Sequence, residues 1–273
     1  MTRIDFNAVF ESTKNLQPIS KGKDKTCYRV GNYAVIVEEG VHQDFCLDSF
    51  RRTQKITNEF YKIGIKTPQV LYVGQNGPSA FMIQEFVTGR PLYFVDIEDY
   101  CSFYRKAIPI DDIQKHKITN EFFKDTQKAF EIIAKAPQEH YDTLLSSLIK
   151  MQKLGYQVDS SPSNFRYSKD KGFVFLDIPT EKAFINSEIK TMNKMVDIVL
   201  VCLAHKEMQT TNNFKLAKEI FSKCMNSAQK LEYKTKSATV WDLQPSYLKG
   251  VINVLEEYDK YSENNKNKGL LNT

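Results

Sequence analysis

Two strand pairs closed by glycine-containing turns lie in the first 86 residues, and no other feature constrains the fold as strongly. The first pair flanks Gly31-Asn32, a two-residue link typical of a tight hairpin, and the second flanks Gly74–Pro78. Between the pairs, Phe50–Ile63 carries apolar residues at helical spacing and is followed by Gly64. The four strand-like runs are Thr26–Val30, Tyr33–Val37, Val70–Val73 and Ala80–Ile83. The pattern predicts a small unit of antiparallel strands with one helix, preceded by a weaker helical segment at Phe6–Leu16.

A mostly helical pattern replaces these strands after residue 86. The predicted helices are Ile118–Lys135, Tyr141–Leu154, Ile189–Ala204, Phe214–Leu231 and Pro245–Tyr261. The last residues, from Ser262 to Thr273, are rich in Asn and Lys and are expected to fray. We therefore predict an α+β chain with an N-terminal lobe at 1–86, a helical C-terminal lobe at 87–262 and a flexible tail at 263–273.

Composition favours a soluble protein in a reducing compartment. The five cysteines form no CxxC pair, and their odd number argues against a closed disulfide framework. The N-terminus lacks the apolar stretch of a signal peptide, and the longest apolar run, Met195–Ala204, is too short to span a bilayer. We expect a cytoplasmic protein without a transmembrane segment. The net charge of +5 is only mildly basic, and no nucleic-acid partner is expected.

The segment from Tyr156 to Asp177 interrupts the helices and carries three side chains that can bind a metal ion. Asp159 and Asn164 flank a proline-containing loop, and Asp177 follows the apolar strand Phe173–Leu176. Phosphoryl transfer requires a carboxylate that orients the attacking hydroxyl, with an amide and a second carboxylate that hold Mg²⁺. The segment fits such a site. The alternative is that Asp159 and Asn164 are ordinary turn formers.

The order of these features resembles the protein-kinase-like superfamily: a small strand-rich lobe, a short connector, a helical lobe and an Asp-x4-Asn…Asp set. The chain is more similar to the aminoglycoside phosphotransferases and the lipopolysaccharide-core sugar kinases than to eukaryotic protein kinases. The resemblance implies a bilobal protein-kinase-like fold, with a small β-rich N-lobe and a larger helical C-lobe.

The resemblance also implies roles for four polar residues. Asp159 corresponds to the catalytic aspartate of the family, and Asn164 and Asp177 correspond to its two ligands for Mg²⁺ or Mn²⁺. Asp197, a carboxylate within an apolar helical segment, corresponds to an aspartate that braces the catalytic loop. A buried carboxylate of this kind needs hydrogen-bond donors, so we assign Asp197 a structural role.

The run from Phe81 to Leu92 resembles the strand and hinge that bind adenine in phosphotransferases. Gln84 corresponds to the gatekeeper position, and adenine would bond the backbone of Glu85, Phe86 and Val87. A buried strand followed by a turn is the alternative. Side-chain identity does not distinguish the two readings, because hinge contacts are made by the backbone.

One charged pair of the family is absent. The lysine of the third strand should lie two residues after Ala34, a nucleotide-binding position by resemblance, but Ile36 stands there. Its glutamate partner is also unclear, because Phe50–Ile63 offers only the late Glu59. Loss of both members is physically consistent, since either one alone would be an unpaired charge beside the nucleotide.

The nucleotide phosphates would still need a cation. Alignment of residues 19–28 with the glycine-rich loop puts Gly22 at the second glycine and Lys25 at the third. The with-no-lysine kinases supply their phosphate-binding lysine from that third position. By this resemblance Lys25 is the first candidate to replace the missing lysine, and Lys21 or Lys23 is the next. The alternative is a solvated charged turn.

These features predict an ATP- and Mg²⁺-dependent phosphotransferase that acts on a hydroxyl of a small molecule or protein, although the missing residues leave enzyme activity uncertain. A protein acceptor would suit a bacterial effector delivered into a host cell. One alternative is a pseudokinase that serves as an interaction module. Another is a kinase-fold enzyme that transfers an adenylyl group.

Overall fold

The protein is described by a computed structural model that divides into two compact units. The described residues are 4–21, 25–39, 43–88, 90–91, 127–156, 165–176, 178, 210–231, 249–250, 252–253, 255–257 and 260. The first unit comprises Met1–Gly89 and Val174–Ala183, and the second comprises Arg90–Phe173 and Phe184–Thr273. The chain therefore returns to the first unit after leaving it.

The first unit is built around a five-stranded antiparallel sheet in the order β1-β2-β3-β5-β4. Its strands are β1 (Ser20–Lys21), β2 (Lys25–Val30), β3 (Tyr33–Glu39), β4 (Val70–Asn76) and β5 (Ser79–Glu85). Both predicted hairpins are confirmed. Gly31 and Gly77 have φ angles of 59° and 56°, a conformation that glycine adopts without steric cost. The second turn is tighter than expected, because Gly74 lies within β4.

One face of this sheet packs against the N-terminal helix α1 (Phe6–Glu11), which continues as a short 3-10 turn. Phe10 stacks on Phe81 with ring centroids 4.2 Å apart. The buried cluster on this face consists of Phe10, Val35, Val37, Phe81 and Ile83. The Asp5 side chain accepts hydrogen bonds from the Asn7 and Ala8 N–H groups and caps the helix.

The opposite face packs against the long helix α2 (Gln43–Lys62). The buried cluster there consists of Cys46, Phe50, Val70, Ala80 and Met82, with Ile36, Leu47 and Val73 packed against it. The helix begins seven residues before the predicted start at Phe50. Cys46 lies one turn ahead of Phe50 on the same helix face, and the charged residues around it obscure the apolar spacing.

The end of α2 matches the expected stop at Gly64. Gly64 has a φ of 77°, and the Ile65 N–H donates to the Phe60 carbonyl, so the backbone closes in a left-handed turn. Lys66, two residues after Gly64, contacts the segment Val174–Ala183, in which the chain returns to the first unit. The Phe175 N–H donates to the Lys66 carbonyl at 3.0 Å.

The second unit is largely helical in the part that the structure describes. Residues 127–134 are helical, followed by α3 (Gln138–Lys153) and α4 (Thr211–Lys230), and helical residues recur between 249 and 260. A three-stranded sheet joins β6 (Arg90–Pro91), β7 (Phe165–Ser168) and β8 (Gly172–Phe175) in that order, and the last two residues of β8 belong to the first unit. The sequence did not indicate β6. The predicted helix at 189–204 and the predicted tail at 263–273 lie outside the described residues.

Helices α3 and α4 are joined by a polar network around one carboxylate. Asp142 accepts hydrogen bonds from Gln138 at 3.1 Å and Ser227 at 2.7 Å, and it forms an ion pair with Lys230 at 2.5 Å. Lys223 of α4 donates to the carbonyls of Ala134 and Ala136. These bonds fix α4 both to α3 and to the segment that precedes α3.

The predicted fold class is confirmed: α+β, with a small β-rich lobe followed by a larger helical lobe, in the order of a bilobal protein-kinase-like fold. The division at residue 86, with its assigned lobe functions, stays a prediction. No helix among the described residues is both long enough and apolar enough to cross a membrane.

Candidate nucleotide-binding face

The predicted nucleotide residues of strands β2 and β3 share the sheet face that α2 covers. The ladder pairs Lys25 with Glu38, Cys27 with Ile36, and Arg29 with Ala34. Directly opposed residues of an antiparallel pair point to the same side, and residues two apart on one strand do so as well. Lys25 and Ala34 therefore project from one face.

The position that would hold the third-strand lysine is apolar on both strands. Ile36 is half-buried and packs against the cluster of Cys46, Phe50 and Met82. Its partner across the ladder is Cys27, which is also half-buried. Ile36 and Cys27 supply no positive charge. The nearest lysine along β2 on this face is Lys25, two residues from Cys27.

Lys25 lies against the helix that borders this face. Its Nζ is 5.7 Å from the ring centroid of Phe50, within the range of a cation–π interaction. Phe50 is fully buried, whereas Lys25 is exposed. The long side chain can cover the edge of the helix while its ammonium group remains in solvent.

Glu38 and Cys46 also lie near Lys25 among the side chains that the structure describes. Burial raises the pKa of the Cys46 thiol, and its hydrogen bond to Glu38 and the charge of that carboxylate raise it further, whereas the Lys25 charge lowers it. Glu38 lies opposite Lys25 in the ladder and shares with it the sheet face that α2 covers. Sequence reasoning missed Glu38, although its position two residues after Ile36 put it on the same strand face.

The hinge segment is tied to the rest of the first unit by its own backbone. The Glu85 N–H donates to the Gln69 carbonyl, and the Phe86 N–H donates to the Asn32 carbonyl, both at 2.9 Å. These two N–H groups are engaged by the protein, so adenine would have to bond other backbone groups of the segment. Val87 is buried, with 5% of its surface exposed.

Two further residues border the hinge on the α2-facing side of the sheet. Gln84, the expected gatekeeper, is buried and stands opposite Ala34 in the β3–β5 ladder. The Arg29 guanidinium lies 4.2 Å from the Phe86 ring centroid, and its Nε donates to the Gly31 carbonyl at 3.1 Å. Arg29 was not identified from the sequence, because its contact with Phe86 joins two distant segments.

Five predicted site residues lie outside the described residues: Gly22, Asp159, Asn164, Asp177 and Asp197. Their catalytic, metal-binding, phosphate-binding and bracing roles stay predictions. The strands that adjoin the predicted metal ligands are described, since β7 begins directly after Asn164 and β8 ends two residues before Asp177. Among the residues that the structure describes, no group of three or more His, Cys, Asp or Glu side chains could hold a metal ion.

No protein-family model and no curated protein matches the sequence. Among solved structures, the chain is similar to the bifunctional kinase-methyltransferase WbdD, with a TM-score of 0.37 at 12% identity over 87% of this chain and 43% of that chain. Monomeric WbdD gives a TM-score of 0.39 at 13% identity over 85% and 44% of the two chains. The chain thus spans less than half the length of these WbdD chains. TM-scores this low carry no argument about function, which must come from the residues themselves.

Proposed function

We propose that the protein is an ATP- and Mg²⁺-dependent phosphotransferase. The observation that carries the proposal is the position of Lys25 on the same sheet face as Ala34 and Ile36, bordered by α2. A cation on this face can compensate for the missing lysine of β3, because both strands present side chains to the same side. The hinge-like segment after β5 supplies backbone groups beside that face.

The reaction assigned to the site is transfer of the γ-phosphoryl group of ATP to an acceptor hydroxyl. A bond forms between the hydroxyl oxygen and the γ-phosphorus, and the bond between that phosphorus and the β–γ bridging oxygen breaks, so that ADP leaves. Asp159 accepts the hydroxyl proton, and Lys25 neutralises charge on the phosphates. Asn164 and Asp177 offer an amide and a carboxylate oxygen, a donor set that suits Mg²⁺ or Mn²⁺. These two residues would hold the metal, which would supply positive charge to the phosphates.

A small-molecule hydroxyl is the favoured acceptor. Its support is the resemblance of the Asp-x4-Asn…Asp segment to the aminoglycoside phosphotransferases and sugar kinases. A protein acceptor is the second possibility within the same chemistry. Cytoplasmic location, and delivery into a host cell, stay predictions.

Nucleotide binding tests the proposal directly. ATP should raise the melting temperature of the protein in the presence of Mg²⁺, because a ligand that binds only the folded state stabilises it. Asp177→Ala should abolish the Mg²⁺-dependent part of the shift, whereas Asp48→Asn, an exposed carboxylate of α2, should retain it. Failure of the parent protein to show any Mg²⁺-dependent shift would contradict the proposal.

A pseudokinase that acts as an interaction module is the second candidate. The observation that favours it is the incorporation of Ile36 into the apolar cluster, which removes the cation from its usual strand. The two candidates differ in turnover. Incubation with labelled ATP and candidate acceptors should give transferred phosphate for a phosphotransferase, and ATP binding without transfer would favour the pseudokinase. Product analysis would also detect adenylyl transfer.

A further inference from the structure

Glu38 and Lys25 stand directly opposite each other at the ends of β3 and β2. Opposed residues in an antiparallel ladder have Cβ atoms about 5 Å apart, and opposite charges at such positions attract. Both side chains project towards α2, since they share the ladder face of Ile36, which packs against that helix, and the Lys25 Nζ lies 5.7 Å from the Phe50 ring centroid. A carboxylate and an ammonium group are therefore brought to one edge of the nucleotide-binding face.

One oxygen of Glu38 has unused hydrogen-bonding capacity. Oε2 is buried and has no hydrogen-bond partner among the residues that the structure describes. A buried carboxylate oxygen without a donor is costly, so its retention calls for a functional or structural explanation. The opposed Lys25 ammonium is a donor of opposite charge within side-chain reach of this oxygen, because the two residues share a ladder position.

We propose that Glu38 is a positioning residue that holds the Lys25 ammonium towards the nucleotide phosphates. The inference rests on the proposed function. The charged pair that usually joins a strand lysine to a helix glutamate would here lie entirely on two adjacent strands. Phe50 supports the lysine stem from the helix side, so α2 contributes packing and need not contribute a charge.

This arrangement also accounts for the absence of a glutamate at a suitable place in α2. Among the residues whose side chains the structure describes, the uncharged Cys46 and Phe50 of α2 pack against this face of the sheet, and Phe50 contacts Lys25. A second carboxylate there would place like charge beside Glu38 at a site of limited solvent access. One carboxylate on β3 is sufficient to neutralise one lysine on β2.

The test compares the affinities of Mg·ATP and adenosine by isothermal titration calorimetry. Adenosine lacks phosphates, so the ratio of the two affinities reports the phosphate contacts alone. Glu38→Gln should lower the affinity for Mg·ATP by about tenfold, which is the effect of losing one charge-assisted hydrogen bond. The affinity for adenosine should not change. Lys25→Met should have a similar effect. Asp48→Asn removes one exposed negative charge from α2 and should leave the ratio at its original value.

A double-mutant cycle distinguishes the positioning of Lys25 by Glu38 from a general effect of Glu38 on the stability of the protein. The Lys25→Met/Glu38→Gln double variant should lose no more Mg·ATP affinity than Lys25→Met alone. The exchange Lys25→Glu/Glu38→Lys keeps both charges on the same face and should recover part of the preference for Mg·ATP. Equal weakening of Mg·ATP and adenosine by Glu38→Gln, or additive losses in the double variant, would overturn the inference.

The outcome for Lys25→Met distinguishes this inference from the proposed function. Lys25 is exposed, so this variant should fold even if Glu38→Gln is poorly stable. Mg·ATP binding that is weakened by Lys25→Met but not by Glu38→Gln would refute the role of the pair and leave the phosphotransferase proposal standing. Mg·ATP binding that survives Lys25→Met unchanged would refute the pair and also remove the phosphate contact assigned to Lys25. Absence of ATP binding in the parent protein would refute both.

Discussion

Ile36 of β3 stands directly opposite Cys27 of β2. The ladder position at which the third-strand lysine was expected therefore carries no charged side chain on either strand. Both side chains are half-buried on the face that packs against α2. The surrounding residues form an apolar cluster, and a bare ammonium there would lose solvation. An isoleucine in place of the lysine of the resembled family therefore suits the apolar residues around this position.

A lysine restored at this position should rescue phosphate binding at a cost in stability. We expect Lys25→Met/Ile36→Lys to bind Mg·ATP more tightly than Lys25→Met, because the new ammonium reaches the same face. The melting temperature should fall, since a charge replaces an apolar side chain against the cluster. Ile36→Met in the same background is the uncharged control, and equal ATP affinities in the two variants would contradict the prediction.

Gly74 is predicted to be intolerant of any side chain. A Cβ atom at this position would lie 2.6 Å from Cε1 of Tyr72 and 2.8 Å from Cζ of Phe81. Gly74→Ala should therefore destabilise the sheet by about 1–3 kcal/mol through overpacking. Chemical denaturation followed by circular dichroism measures the effect. The matched control is Gly250→Ala, because in the described part of the chain no heavy atom beyond its chain neighbours and its own helix backbone lies within 4 Å of the added Cβ; this change should be neutral or slightly stabilising.

Asp142 should make stability sensitive to acid. Burial alone would raise its pKa, but hydrogen bonds from Lys230, Ser227 and Gln138 outweigh burial and hold the pKa below the ordinary 3.8. A depressed folded-state pKa stabilises the protein above the unfolded value, and this contribution is lost as pH falls through the folded value. Asp142→Asn should thus lose less stability than the parent between about pH 5 and pH 2.

Melting temperatures across this pH range provide the measurement for Asp142. Asp48→Asn serves as the control for charge removal, because Asp48 is largely exposed and its ion pair with Arg51 is long at 3.6 Å. It should retain the acid sensitivity of the parent. An identical pH dependence for the parent and Asp142→Asn would show that the α3–α4 network does not contribute in this way.

Thiol labelling should distinguish Cys27 from the buried cysteines. Burial raises the pKa of Cys224 to about 12 and also raises the pKa of Cys46, so neither forms much thiolate at neutral pH. Cys27 is half-buried and should react first in a Cys101→Ser/Cys202→Ser background.

Mg·ATP should slow the labelling of Cys27, because its side chain projects from the proposed nucleotide-binding face. Mass spectrometry of the labelled protein identifies the modified residue and its rate. Adenosine with Mg²⁺ controls for protection that requires no phosphate. Labelling of Cys46 before Cys27, or no protection by saturating Mg·ATP, would count against the assignment of this face.

Local sequence signals were sufficient for the hairpins of the first unit. Gly31 and Gly77 mark the turns because each adopts a positive φ angle, and the flanking residues favour strands. The early start of α2 was harder to predict. The missed first turns contain Asp44 and Asp48, which obscure the apolar spacing around Cys46. Within the predicted part, the buried Thr53 and Thr57 donate their hydroxyls to carbonyls one turn earlier, so polar residues occupy positions where apolar ones were expected.

Features that depend on pairing between distant segments were not predictable. The two-residue strand β6 exists because Arg90 and Pro91 pair with β7, far along the chain. Glu38 is a different case. Its opposition to Lys25 follows from the predicted two-residue turn at Gly31-Asn32, which sets the β2–β3 register, and was overlooked. Its proximity to Cys46 depends on how α2 packs on the sheet and could not be predicted.

The bond from the Phe175 N–H to the Lys66 carbonyl has a consequence for the order in which the protein is made. The first unit includes Val174–Ala183, so the ribosome must translate Arg90–Phe173, nearly half of the second unit's sequence, before the first unit has all of its residues. During synthesis, the five-stranded sheet would leave the ribosome before the segment Val174–Ala183 that contacts it has been translated. A clone that stops at Gly89 would express only part of this unit, and a study of the isolated sheet would need the returning segment supplied as a fused or added peptide.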